Sequence, residues 1–196
     1  DNPVTNSIQL KKNMIVTGPN ASGKTTILKS TLINIIFTQH FGCGFYASAK
    51  LKPYNHIHCY LNIPDTSGRD SLFQAEARRC KEILDKIVVN KGETHFCAFD
   101  ELYSGTNPEE AEQSATSFMK YLTKYKNVSC LLTTHFIKIC KKLEKQKSIV
   151  NYKMLTLKEN EKLNYKYKLT KGISDIKGGM IVLKQMNYPT EIIEDK

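Results

Sequence analysis

An octapeptide near the start of the chain, Gly18-Pro19-Asn20-Ala21-Ser22-Gly23-Lys24-Thr25, satisfies G-x-x-x-x-G-K-[ST] and leaves few folds open. The pattern has a mechanism only where a strand delivers the chain into a glycine turn and a helix begins directly behind it. Asn13 to Thr17 is a short apolar run, and apolar residues recur at helical spacing at Ile27, Leu28, Leu32, Ile35 and Ile36. Strand, loop and helix therefore follow in the required order. In that geometry successive backbone N–H groups and the positive helix end face a phosphate chain, Lys24 reaches the outer phosphates, and the Thr25 hydroxyl ligates Mg²⁺. The segment Gly18 to Thr26, with Pro19, Asn20, Ala21, Ser22, Gly23 and Thr26 included, is the candidate ATP-binding loop, with ATP and Mg²⁺ as its ligands.

A loop of this kind needs an acidic partner at the end of a neighbouring strand, to hold the magnesium water shell. The run His95-Phe96-Cys97-Ala98-Phe99 ends in Asp100-Glu101. Asp100 is the expected metal partner of Thr25, and Glu101 the expected base that orients or deprotonates the attacking water. A second apolar run, Val128 to Thr133, leads into His135, a candidate sensor of the terminal phosphate. Ser71 and Gln74 form a capping-box pattern ahead of Leu72, Ala75, Arg79, Ile83, Leu84 and Ile87, which predicts a helix from Ser71 to about Val89. A serine with free helix N–H groups behind it is a second anion site. Because the chain's own loop is complete, Ser71 is expected to serve a nucleotide held by another copy, with plain helix capping as the alternative.

The rest of the chain fits one α/β domain over residues 1–196, with a mostly parallel sheet covered on both faces. Its 196 residues, 40% of them hydrophobic, suffice for one core and not for two. Pro108 to Lys124 and a Lys-rich stretch ending near Lys145 read as further helices. Ser148 to Leu157 and Leu163 to Leu169 alternate as strands about a turn at Glu159-Asn160-Glu161, an antiparallel edge. Asn164-Tyr165-Lys166-Tyr167-Lys168 alternates Tyr with Lys, a pattern that suits stacking on and neutralising nucleic acid but is more commonly an edge strand guarded by lysine. Apolar stretches are too short to span a bilayer, so no membrane contact is expected. Six cysteines, none at metal-knuckle spacing, point to reduced core thiols of an intracellular protein, cytoplasmic or nuclear. The chain opens on Asp1 with no basic and apolar leader, as a piece of a longer protein would. From residue 138 onward 14 basic face 7 acidic side chains, most of the net charge of +10. A polyanion partner and a solvated lysine surface both account for that excess.

Four blocks together resemble the C-terminal ABC-type ATPase domain of the MutS family of DNA mismatch-repair proteins. They are Thr17 to Thr26, Gly68 to Glu76, Asp100 to Thr106, and Thr133 to Phe136, similar to the family's Walker A, signature helix, Walker B with D-loop, and histidine switch. Weaker likeness around Tyr167 to Gly172 and Asn187 to Ile193 extends it over nearly the whole chain. The signature reads Asp70-Ser71-Leu72-Phe73 without the usual Ser-Thr pair, and Tyr103-Ser104 stands where Gly-Arg is usual, which marks a divergent branch. The resemblance implies a homodimer or heterodimer formed through this domain, ATP hydrolysis, and double-stranded DNA, mismatched or branched, read by domains absent from this chain. The alternatives are a non-repair ABC-type ATPase, of chromosome structure, recombination or transport, and an ATP-dependent dimerisation switch with little turnover. Chromosome and transporter motors usually carry a Ser-Gly-Gly signature core, which Gly68-Arg69-Asp70-Ser71 does not match.

Overall fold

A computed structural model describes residues 3–61, 63, 71–159, 162–176 and 178–193. Its centre is β1 (Asn13–Thr17), whose five residues are all buried, as a strand covered on both faces requires. Alternate side chains divide between two layers. Met14 and Val16 pack with Ile27, Leu28, Leu32 and Ile35 of α1 (Lys24–Phe41), while Ile15 faces the opposite layer. That second layer holds α2 (Leu72–Val89), α3 (Pro108–Leu122) and α4 (Ile137–Leu143). The same alternation runs through β3 (His95–Asp100), where Phe96 and Ala98 face α1 and Cys97 and Phe99 face the three helices.

The sheet has six strands in the order β2-β3-β4-β1-β5-β6. With β2 (His56–Tyr60), β4 (Val128–Thr134) and β5 (Ile149–Glu159), the first five run parallel, and β6 (Lys162–Lys171) returns antiparallel to β5. Two short helices, α5 (Gly179–Gln185) and α6 (Thr190–Ile193), follow. The mixed α/β class with its antiparallel edge is as the sequence predicts. Both outer edges are partly closed by side chains. Asn6 donates to the Tyr167 carbonyl at 3.0 Å and accepts from Leu169 N–H at 2.7 Å, and Arg79 donates twice to the Cys59 carbonyl of β2, each at 3.1 Å.

The capping box is formed: Gln74 N–H donates to Ser71 Oγ at 3.3 Å and Ser71 N–H to Gln74 Oε1 at 2.9 Å. Helix α1 runs past the expected Phe37 to Phe41 and stops at Gly42, whose φ of 70° is open to glycine. Helix α3 ends at Leu122, short of Lys124, and α4 covers only seven residues. Strand β2 and the two last helices lack a counterpart in the sequence reading. The turn residues Asn160 and Glu161, the signature residues Gly68, Arg69 and Asp70, and Lys177 lie outside the described residues. Cys80, Cys97, Cys130 and Cys140 are buried, Cys43 is exposed, and all six thiols are free. Among the described residues no helix is long and apolar enough to cross a membrane.

Candidate functional site

The C-terminal ends of β1, β3 and β4 meet at one rim of the sheet, and every candidate residue except Ser71 lies there. Parallel pairing sets this up: Thr17 stands level with Thr134, and Asp100 level with Thr133. Beyond Thr17 the chain turns through Gly18 to Gly23. Gly23 caps α1 with φ 92°, a conformation that costs other residues about 1 kcal/mol or more. Ala21 takes the same region without that freedom, at φ 63°.

Lys24 is 94% buried, and its ammonium folds back over the loop, donating to the carbonyls of Gly18 at 3.0 Å and Pro19 at 3.2 Å. Its third neighbour is Glu101 Oε1, at 3.9 Å. Burial pulls the ammonium below its ordinary range, and the Glu101 and Asp100 carboxylates oppose that pull. Thr25 donates to Asp100 Oδ2 at 3.0 Å. Asp100 also accepts from Thr133 Oγ1 on β4, so hydroxyls from two elements fix its carboxylate. Beside it, Glu101 has a left-handed φ of 51°, which turns its side chain back toward the loop, and its N–H donates to the Thr133 carbonyl at 3.0 Å. His135 Nδ1 sits 3.2 Å from Glu101 Oε2. That hydrogen bond is the strongest influence on Glu101 and, with the His135 and Lys24 charges, holds it below the usual carboxylate range despite partial burial.

Lys24, Thr25, Asp100, Glu101 and His135, far apart in sequence, thus form one linked cluster. Among the described residues only Ser22 Oγ and Asn151 Oδ1 are buried without a hydrogen-bond partner. The unpartnered hydroxyl of Ser22, inside the loop, fits an anion seated there. The oxygens of Thr25 and Asp100 are hard donors of the kind Mg²⁺ takes. No group of three or more His, Cys, Asp or Glu side chains among the described residues is arranged to hold a metal by itself.

Ser71 stands apart, at the start of α2, and its hydroxyl oxygen is engaged as a helix cap. A hydroxyl that accepts from Gln74 keeps its own proton to give. Three contributors escape a sequence reading. Thr133 fixes Asp100, and its only signal is a hydroxyl inside an apolar run. Tyr167 of β6 lies against the loop, with a Cδ1 that would sit 3.3 Å from a Cβ placed on Gly23, and its φ of 51° is unusual for tyrosine. Glu76, one turn into α2, accepts from Ser104 N–H and Oγ–H and from Gly105 N–H at 2.9–3.1 Å. Both of the last two lie in segments that resemble the family, yet no local pattern announces what their side chains touch.

The family model described as MutS domain V matches residues 14–196, and the chain belongs to that family. It is 29% identical to the DNA mismatch repair protein Msh3 of Dictyostelium discoideum over 98% of this chain and 14% of that protein. It is 27% identical to the DNA mismatch repair protein MutS of Prochlorococcus marinus, strain AS9601, over 97% of the chain and 21% of that protein. The MutS of Persephonella marina is 25% identical, over 97% of the chain and 22% of its own length. The chain therefore spans about a seventh to a fifth of these relatives.

Proposed function

We propose that this chain is the ATP-driven engine of a MutS-type protein, an ABC-type P-loop domain that binds MgATP, pairs with a second copy or a related chain, and hydrolyses the nucleotide. The observation that carries the reading is the cluster of Lys24, Thr25, Asp100, Glu101 and His135 at one rim. Lys24, now held by two carbonyls of its own loop, exchanges them for outer phosphate oxygens, a stronger charge-assisted contact. The segment Gly18 to Thr26 wraps the phosphates, with backbone N–H groups and the Ser22 hydroxyl as donors. Thr25 and Asp100 would hold Mg²⁺, which would supply positive charge against the phosphate oxygens. Glu101, ionised at neutral pH, orients the attacking water, and His135 holds its carboxylate in place from the side facing the terminal phosphate. The lowered pKa makes Glu101 a weak base, so alignment of the water is its larger contribution.

Ser71 supports the paired arrangement, since its side chain is engaged only with Gln74 of its own helix and presents a hydroxyl with helix N–H groups behind it. The names of the relatives, DNA mismatch repair proteins, support coupling of this cycle to the recognition of mismatched DNA. Mixing Ser71→Ala with Lys24→Ala subunits tests the pairing. Each heterodimer then contains one intact loop facing one intact Ser71, and phosphate release is expected to recover from near zero in each variant to about half of wild type per heterodimer, or about a quarter for a 1:1 mixture that pairs at random. Heterodimers without recovery would reduce Ser71 to a helix cap, worth about 1 kcal/mol of stability.

A further inference from the structure

The buried face of α2 steps through Glu76, Cys80, Ile83 and Ile87. The spacing calls for an apolar residue at 76, yet a carboxylate stands there, only 2% exposed. Its oxygens are satisfied by the loop after β3: Ser104 Oγ–H at 2.9 Å, Gly105 N–H at 3.0 Å and Ser104 N–H at 3.1 Å. The loop is pressed against the start of the helix, since a Cβ on Gly105 would lie 2.7 Å from Leu72 Cγ and 2.8 Å from Phe73 N. Two non-glycine residues in it, Glu101 and Tyr103, have left-handed φ values of 51° and 59°. Such conformations persist only where surroundings over-determine them. Tyr103 N–H donates to Tyr60 Oη at 3.1 Å, a second tether. Burial above all, and the Glu76 carboxylate beside it, push that phenol well above its ordinary range against the pull of the Tyr103 N–H, so it stays protonated.

We propose that Glu76 is a positioning residue for hydrolysis, which locks the loop carrying Glu101 to the helix carrying Ser71 so that the two move as one body. The proposal rests on the ATPase reading above. Within that reading Ser71 serves the partner's nucleotide and Glu101 its own, so the clamp ties the state of one composite site to the alignment of water in the other. Sequence separation hides this link, because Glu76 and Ser104 are 28 residues apart.

The nearly isosteric Glu76→Gln replaces one acceptor oxygen by an amide that must face N–H donors. In the full chain it is expected to melt cooperatively and to bind a non-hydrolysable ATP analogue with Mg²⁺ within about threefold of wild type. Its kcat is expected to fall by about tenfold or more with KM nearly unchanged. Ser104→Ala, which removes one of three donors and leaves the carboxylate in place, is expected to lower kcat by about threefold, and it carries the test if Glu76→Gln does not fold. Unchanged turnover in a folded variant, or a loss of binding that matches the loss of turnover, overturns the proposal. Amide hydrogen exchange separates its failure from that of the ATPase reading. Wild-type protein without turnover defeats the ATPase reading and with it a role in hydrolysis. The Ser104 and Gly105 amides, slow in wild type and about tenfold faster in Glu76→Gln, report the clamp itself. Fast exchange of both in wild type overturns the clamp whatever the activity.

Discussion

Strand β3 carries ionisable groups at both ends, and the two ends manage them in opposite ways. At its C-terminal end the His135 hydrogen bond, with the His135 and Lys24 charges, holds Glu101 below the usual carboxylate range, and Asp100 accepts from the Thr25 and Thr133 hydroxyls. At its N-terminal end fully buried His95 lies in a stack with His56 and His58, with ring centroids 4.6 and 5.3 Å away. His95 Nε2 faces the Asn90 carbonyl at 3.1 Å, which can only accept, so this nitrogen bears the proton. His95 Nδ1 then accepts from His58 Nε2 at 3.0 Å. Burial first, then His95, His56, Arg79 and Lys86, pulls the pKa of His58 down to about 4. One end gathers carboxylates among donors and an ammonium, and the other keeps charge off a buried histidine.

If the charged end is built for turnover, removing one charge there should be felt in rate and not in fold. Glu101→Gln is expected to bind MgATP and to lose about 10²-fold or more in phosphate release. Near wild-type turnover would move the base elsewhere, with His135 the first candidate. Lys24→Ala is expected to weaken nucleotide binding by about 30-fold, roughly 2 kcal/mol, with an unchanged melting profile. Retained affinity in the folded variant would dissociate Lys24 from the phosphates.

The neutral end should be felt in stability and not in rate. The folded pKa of His58 lies below its ordinary 6.5, so as pH falls the unfolded chain takes up the proton first. Its contribution is complete above about 6.5, declines down to about 4, and is level below that. Comparing urea midpoints of wild type and His58→Gln at both pH values should show about 1–2 kcal/mol of extra acid loss in the wild type, less than the full linkage because His58 lines a groove shared with Arg79, Glu82, Asp85 and Lys86, where solvent screens its charge. Equal losses in the two proteins would show that the histidine stack does not titrate with unfolding.

The features legible in the sequence were those whose physics is local. The Gly18–Thr25 loop needs only its own glycines and flanking periodicity. The capping box of Ser71 and Gln74 spans one turn, and the Asp100-Glu101 step follows an unbroken apolar run. Strand β2 has no such local signature, because His56-Ile57-His58-Cys59-Tyr60 interleaves histidines with apolar residues. Only packing against His95 and α2 makes that sequence a half-buried edge strand. Helix α1 extends a turn beyond its apolar pattern, which Thr38 and His40 break, because backbone hydrogen bonding continues to Gly42. Contacts that cross the fold, such as Thr133 to Asp100 and Glu76 to Ser104, have no signature in spacing. They exist only once parallel pairing and helix docking have brought those residues together.

The closing of both sheet edges by side chains has a consequence for how copies of this protein meet. An open β-edge is a template that recruits any strand, including one from an identical neighbour. Here Asn6 occupies backbone groups of two β6 residues as a strand would, and the Arg79 guanidinium sits on a carbonyl of β2. Growth of the sheet from molecule to molecule is therefore discouraged in both directions. The pairing of copies proposed above would then fall to loop-bearing surfaces, where contact can be made conditional and reversible in a way that a continuous hydrogen-bonded ladder could not.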